Sequence, residues 1–291
     1  MKRAQIAVVL SVLGSAAWAA PPSPCAPIAG LDPLLAPGTV LLIGEVHGTR
    51  EFPAAVGDIV CRAAELSRSV TVELELDSRW DAAFDRFLGN PEVEPGLAKL
   101  LEETSWSTFP SPFPPDGRTS QAMVELLRTL HRLRVGGARL AVRAFDGWIA
   151  LPEAERGRKR DAVMAETLVR SLEASPVDVV VLLTGNLHSR KRANTVSFLA
   201  EPMAYLVAQA RPQWKLVSLL GTHSAGEAWI CTGNGKCGVT PQSSGTPLGP
   251  RGVVLDPEVA TPFGRAGELG YDGTIFVGAL IASPPVPSSP P

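Results

Sequence analysis

The hydrophobic and polar positions along the chain switch repeatedly between two periods. "GTVLLIGEVHG" (38–48) is an apolar run that ends in polar residues, which predicts a buried strand and a turn. "EFPAAVGDIVCRAAELSR" (51–68) spaces its apolar residues as a helix does. "SVTVELELD" (69–77) changes to period two, with Val70, Val72, Leu74 and Leu76 on one side and Thr71, Glu73 and Glu75 on the other. A short helix follows over 79–89, and then "WSTFPSPFPPDGRTS" (106–120), whose prolines predict a long loop that serves as a lid or a pocket wall. A helix closed by glycine covers 121–137, a third strand 138–147, an amphipathic helix 156–175, and a fourth, buried strand 177–190. The helix of 196–211 and the strand of 214–224 continue the alternation.

Strands alternating with helices from residue 39 to about 220 predict an α/β fold with a mainly parallel central sheet flanked by helices. "EAWICTGNGKCGV" reads as a C-terminal β-hairpin and "GTIFVGALIA" as the strand that closes the sheet. The expected organisation is one domain over 38–282, a Pro/Ala/Ser-rich leader over 21–37, and a disordered Pro/Ser tail over 283–291.

The first twenty residues stand apart. "MKRAQIAVVLSVLGSAAWAA" has a basic start, about ten apolar residues and a small-residue end, the pattern of a secretory signal peptide cleaved after Ala19 or Ala20. The apolar run is too short to span a bilayer, which takes roughly 20 residues. The expected location is therefore periplasmic or secreted, with no transmembrane segment once the signal is removed. Four cysteines fit that compartment. Cys231 and Cys237 bracket the turn-forming "TGNGK" and predict one local disulfide, which leaves Cys25 to pair with Cys61. Hydrophobic residues at 45% and charged residues at 19% allow a sizeable core. Net charge is −2, or −4 once the signal with Lys2 and Arg3 is gone (25 basic against 29 acidic), and no basic face appears, so nucleic acid is not an expected partner.

The chemistry collects where strands end. The first gives Glu45 and His47, the second Glu73 and Glu75, the third Arg143 and Asp146, the fourth Asn186 and His188, the fifth His223. In a parallel sheet these ends share one edge, and open α/β sheets bind ligands there. Three of the four histidines fall at such ends; the fourth, His131 in "TLHRLR", reads as a surface residue on a helix. Gly44 reads as the residue that lets the chain turn, and Met164 as core. Trp106, Phe109 and Phe113 either wall an apolar pocket or pin the long loop down. A histidine backed by carboxylates is a general base near neutral pH, and an arginine holds a substrate carboxylate or a developing oxyanion. That set suits hydrolysis of an ester or related bond in a small-molecule substrate. No G-x-S-x-G elbow is present, so water rather than serine is the expected nucleophile. His47, His188, Glu45 and Glu75 could instead hold a divalent metal such as zinc or manganese, but no H-E-x-x-H helix occurs, and metal-free hydrolysis is favoured.

These motifs resemble, in order, those of the erythromycin esterase-like and ChaN-like (haem-binding uptake, TIKI-related) superfamily. "GEVHGTREFP" is similar to the family's first signature, "TVELELD" to its glutamate-ended strand, and "RAFDG" to its third strand. "RKRDAVMAETLVRSL" is similar to its R-D-x-x-M-A-E helix, "VVVLLTGNLHSRK" to its second histidine strand, and "YDGTIFVGAL" to its closing strand. The resemblance covers roughly residues 38–282. It implies an α/β core in which His47 is the general base, Glu45 and Glu75 (or Glu73) orient it, and His188 completes the site. One of Arg160 and Asp161 would point to that site, although a run such as Arg158-Lys159-Arg160-Asp161 by itself reads as a solvated helix face. In the ChaN-like branch similar positions imply haem binding without catalysis. The esterases carry a longer helical insert where this chain has "EETSWSTFPSPFPPDGRTS", so a macrolide substrate is not implied.

Overall fold

The structure, a computed structural model, describes residues 25–108, 116–148, 152–174, 176–193, 200–231, 236–243 and 249–287. The signal segment, Phe109 and Phe113, the start of the helix expected over 196–211, most of the "TGNGK" turn, the side chain of Arg158 and residues 288–291 lie outside the described residues. The strands are β1 (Thr39–Glu45), β2 (Val70–Asp77), β3 (Leu140–Asp146), β4 (Val179–Gly185), β5 (Lys215–Thr222), β6 (Gly226–Cys231), β7 (Cys237–Gln242), β8 (Gly252–Val254), β9 (Ala260–Thr261), β10 (Gly264–Arg265) and β11 (Gly273–Phe276). The helices are α1 (Glu51–Glu65), α2 (Asp81–Leu88), α3 (Val93–Glu103), α4 (Gln121–Val135), α5 (Glu153–Ala174) and α6 (Met203–Ala210).

The central sheet has seven strands in the order β3-β2-β4-β1-β5-β11-β8. Every pairing is parallel except that of β8 with β11. The expected closing strand is β11, but β8 lies outside it and forms the edge. β6 and β7 form the expected antiparallel hairpin, with Cys231 opposite Cys237. Sequence periodicity did not reveal α3, because Pro95 and Gly96 interrupt its pattern; both stand within its first turn, where Pro95 removes no intrahelical hydrogen bond.

Helices cover both faces of the sheet, which is why even the polar side of β2 is buried along its whole length. On one face Leu41, Ile43, Val72 and Leu74 pack with α1, α2 and α4 through Phe52, Ile59, Phe84 and Leu127. On the other, Val40, Leu42, Val180 and Leu182 pack with α5 and α6 through Met164, Leu168, Met203 and Val207. α4 starts at a side-chain cap, where Ser120 Oγ accepts from the Met123 N–H, and it ends before Gly137, whose φ is +98°. Within the leader, Ile28, Leu31, Leu34 and Leu35 join the core, and disulfides link Cys25 to Cys61 and Cys231 to Cys237. The start of the expected tail is also held. Ser283 N–H donates to Gly48 O at 2.8 Å, and Gln121 N–H donates to Pro284 O at 2.9 Å.

Candidate functional site

Because β2, β4 and β1 are neighbours, their carboxyl ends form one continuous rim. β1 delivers Glu45 and, one turn residue later, His47. β2 contributes Glu75, and β4 runs into the turn Gly185–His188. The turn after Val46 depends on Gly48 (φ +73°), not on Gly44. Gly44 stays extended and leaves room for the β4 turn, since a Cβ there would meet Asn186 Oδ1 at 2.5 Å.

His47 sits between two carboxylates. Its Nδ1–H donates to Glu45 Oε1 at 2.8 Å, and its Nε2 lies 3.5 Å from Glu75 Oε2. The ring is 26% exposed while those carboxylates are 5% and 3% exposed, so the imidazole is the member of the trio that solvent reaches. Gly185 makes space for it: a Cβ there would stand 3.0 Å from His47 Nε2. Glu75 is fully engaged. Oε2 accepts from Thr184 Oγ1 (2.7 Å) and Gly185 N (2.8 Å), and Oε1 accepts from Arg160 Nη2 (2.6 Å) and Arg118 Nη1 (3.4 Å). Asp146 shares the same two arginines, with Oδ2 at 2.6 Å from Arg160 Nη2 and 3.3 Å from Arg118 Nη1. Asp116 holds Arg118 from its far side at 2.7 Å. His188 Nδ1 lies 2.8 Å from Asp161 Oδ1, and its Nε2 lies 3.3 Å from Arg160 Nη1.

These contacts set the charges. Burial works to lower the His47 pKa, but Glu75 and Glu45 outweigh it and raise the value from 6.5 to about 10. Burial likewise opposes ionisation of Glu75, and the positive groups around it, led by His47, hold its carboxyl well below the usual range. Arg118 and Arg160 are pushed above the ordinary arginine value; burial disfavours their charge, and the carboxylates of Asp116, Glu75 and Asp146 more than offset it. The rim is thus an array of ion pairs with one partly exposed imidazolium at neutral pH.

Comparison with known proteins places the architecture. No family model matches the chain and no curated protein matches its sequence. Solved structures do match. A protein from Bacillus cereus superposes with a TM-score of 0.60 at 11% identity, over 87% of this chain and 91% of that one. A mutant of the erythromycin esterase EreC in its open conformation superposes with a TM-score of 0.58 at 13% identity, over 85% of this chain and 92% of that one. The fold is erythromycin esterase-like. ChaN of Campylobacter jejuni, described with cofacial heme binding, matches at a TM-score of 0.43 and 14% identity, over 66% of this chain and 84% of that one, too loosely to argue from.

Within this erythromycin esterase-like fold, the rim gathers Glu45, His47, Glu75, Asp146 and His188 from the strand-end residues. It does not gather the others. Arg143 turns to Asp85 of α2, 2.7 Å away, and its expected place beside the carboxylates is taken by Arg160 and Arg118. Glu73 lies one pleat back from Glu75 on the same face. Burial raises its pKa to about 8, Ser171 Oγ donates to its Oε1 at 2.6 Å, and its Oε2 has no hydrogen-bond partner among the described residues. Asn186 ties the β4 turn to its neighbours, taking the Gly221 N–H on Oδ1 and donating its own N–H to Glu45 O. His223 is buried with Nδ1 at 2.6 Å from Ser224 O. Trp106 is core: its Nε1–H donates to Thr119 O at 3.0 Å and its ring centroid stands 5.4 Å from that of Trp80, so it pins the loop. His131 is not a surface residue either; it is buried, stacks on Phe87 and meets Asn90 O at 2.8 Å.

Sequence reading missed Arg118 and Asp116 altogether. The available signal was "DGRTS" at the end of the proline-rich loop, where a charged pair adjoins a glycine. Gly117 is what lets that loop reach the rim: a Cβ there would stand 2.0 Å from Gly48 N and 2.6 Å from His47 C. Both Arg160 and Asp161 point to the site, one to the carboxylates and one to His188.

The donor set does not fit a metal ion or a haem ligand. Glu75 and Asp146 already face two guanidinium cations. Both ring nitrogens of His47 face carboxylates, and both nitrogens of His188 face Asp161 and Arg160. Among the described residues no group of three or more His, Cys, Asp or Glu side chains is arranged to hold a metal. A cleft of about 510 Å³ between α1 and α4 is lined by Arg50, Asp58, Gln121 and Glu125 and includes none of the rim side chains.

Proposed function

We propose that the protein is an exported hydrolase that cleaves an ester or related bond in a small molecule, with His47 as the proton-transfer residue. The observation that carries this reading is the His47 ring, partly open to solvent and clasped at 2.8 Å and 3.5 Å by two buried carboxylates. Glu45 fixes the Nδ1–H tautomer, so Nε2 is the atom that takes the proton of an attacking water. The pair with Glu75 keeps that atom protonated at neutral pH. Turnover therefore rises with pH as His47 deprotonates toward its pKa of about 10. Arg160 takes the electrophilic role first expected of Arg143. A guanidinium has five N–H donors, and four contacts to Asp146, Glu75 and His188 leave one Nη1–H among the described residues for a substrate oxygen. The two disulfides support an oxidising compartment, and no described helix is long and apolar enough to cross a membrane.

The test is hydrolysis of a panel of neutral aryl and alkyl esters and lactones by wild type and by His47→Asn, between pH 6 and 10.5. The expected result is an alkaline rise in kcat/KM and a loss of about 10²-fold or more in the variant with its fold intact, the size of a general-base contribution. Equal activity in the variant would sink the assignment.

A further inference from the structure

The deepest unexplained feature of the rim is the pair His188–Asp161, and hydrogen-bond chemistry resolves it. A guanidinium can only donate, and Arg160 Nη1 at 3.3 Å is within hydrogen-bond reach of His188 Nε2 whereas Glu75 Oε1 at 3.9 Å is not, so Nε2 accepts. A carboxylate can only accept, so His188 Nδ1, 2.8 Å from Asp161 Oδ1, must donate. Both contacts therefore require one species, neutral His188 with its proton on Nδ1. The opposite tautomer sets N–H against N–H at Arg160 and a lone pair against a carboxylate at Asp161. Asp161 is itself anchored, because its Oδ1 also takes the Met203 N–H at 2.7 Å, at the start of α6.

We propose that Asp161 and His188 are positioning residues for Arg160: Asp161 selects the Nδ1–H tautomer, and the Nε2 lone pair thereby fixes the third nitrogen of a guanidinium whose other two are held by Asp146 and Glu75. His188 then acts through Arg160 and not by proton transfer. The order of effects runs from α5 through the imidazole to the electrophile. Its kinetic consequence rests on the hydrolase reading; the tautomer does not.

The experiment is ¹⁵N–¹³C NMR of the imidazoles in the purified full chain, which has four histidines. It is run on wild type, Asp161→Asn and Asp161→Leu beside ester turnover and thermal unfolding. Wild type should show His188 as the neutral Nδ1–H tautomer at pH 7. Asp161→Asn, which keeps an oxygen acceptor, should retain that tautomer and most of kcat. Asp161→Leu should shift His188 toward Nε2–H and lower kcat about 10- to 100-fold with KM little changed, as expected for a mispositioned electrophile. A wild-type His188 that is protonated or carries its proton on Nε2 overturns the inference, and that reading needs no folded variant. So does an Asp161→Leu protein that loses only thermal stability while His188 keeps its tautomer and kcat is unchanged. If no ester is turned over by wild type, the hydrolase reading fails alone and the NMR arm still decides the tautomer.

Discussion

Raising the pH should unpick the rim from its centre. The His47 pKa moves from 6.5 to about 10 because Glu75 and Glu45 favour the charged ring more than burial disfavours it. The folded state thus binds this proton more tightly than the unfolded chain does. The stabilisation is fully present below pH 6.5 and is lost as pH climbs through about 10. The gap corresponds to about 5 kcal/mol at 1.36 kcal/mol per pKa unit, an upper value for a ring that is a quarter exposed. Urea unfolding followed by tryptophan fluorescence at pH 6, 8 and 10.5 would measure it, with His47→Gln as the reference. Glu73 titrates in an overlapping window and in the same direction, so the informative quantity is the difference between the two proteins. Wild type should exceed the variant by several kcal/mol at pH 6, with the difference shrinking toward pH 10.5. A difference that stays constant with pH, or an NMR titration midpoint for His47 near 6.5, would refute the reasoning.

Glu73→Gln should stabilise the protein by a few kcal/mol at pH 8–9. Burial holds Glu73 at about 8, its ionisation destabilises the fold as pH rises from 4.5, and the amide oxygen keeps the Ser171 bond; thermal melts across pH 5–9 check this. Gly117→Ala should cut ester turnover about 10²-fold. Its Cβ meets Gly48 backbone at 2.0 Å, so the 116–119 turn must move and carry Arg118 off Glu75 and Asp146. Gly38→Ala is the control: φ is +82° but nothing lies within 4 Å, so about 1 kcal/mol of stability is lost and activity is kept.

How much of this could be read from the chain depended on how local the signal was. The strands β1 to β5 and the helices between them other than α3 show in hydrophobic periodicity because each buries a face or stripe of its own residues. Glu45, His47, Glu75 and His188 were legible because a parallel sheet brings strand ends together whatever the strand order. Arg143 was misread for a related reason. Three residues before the end of an outer strand, it reaches round to Asp85 instead of over the rim. His131 was misread because a polar residue on an otherwise apolar helix stripe looks solvated until a carbonyl, here that of Asn90, is found beneath it.

By itself the sequence determined the alternation of elements, the disulfide pairs, and the histidine and carboxylates that a parallel sheet must present at one edge. Only the tertiary structure decided which cations complete that edge. Arg118 arrives from a loop admitted by the glycine contact at 117 and 48, and Arg160 arrives from the middle of α5, far from any strand end. The physical reason is that a buried carboxylate requires a counter-charge but not one from a given point in the chain, so any element whose backbone comes close enough can supply it.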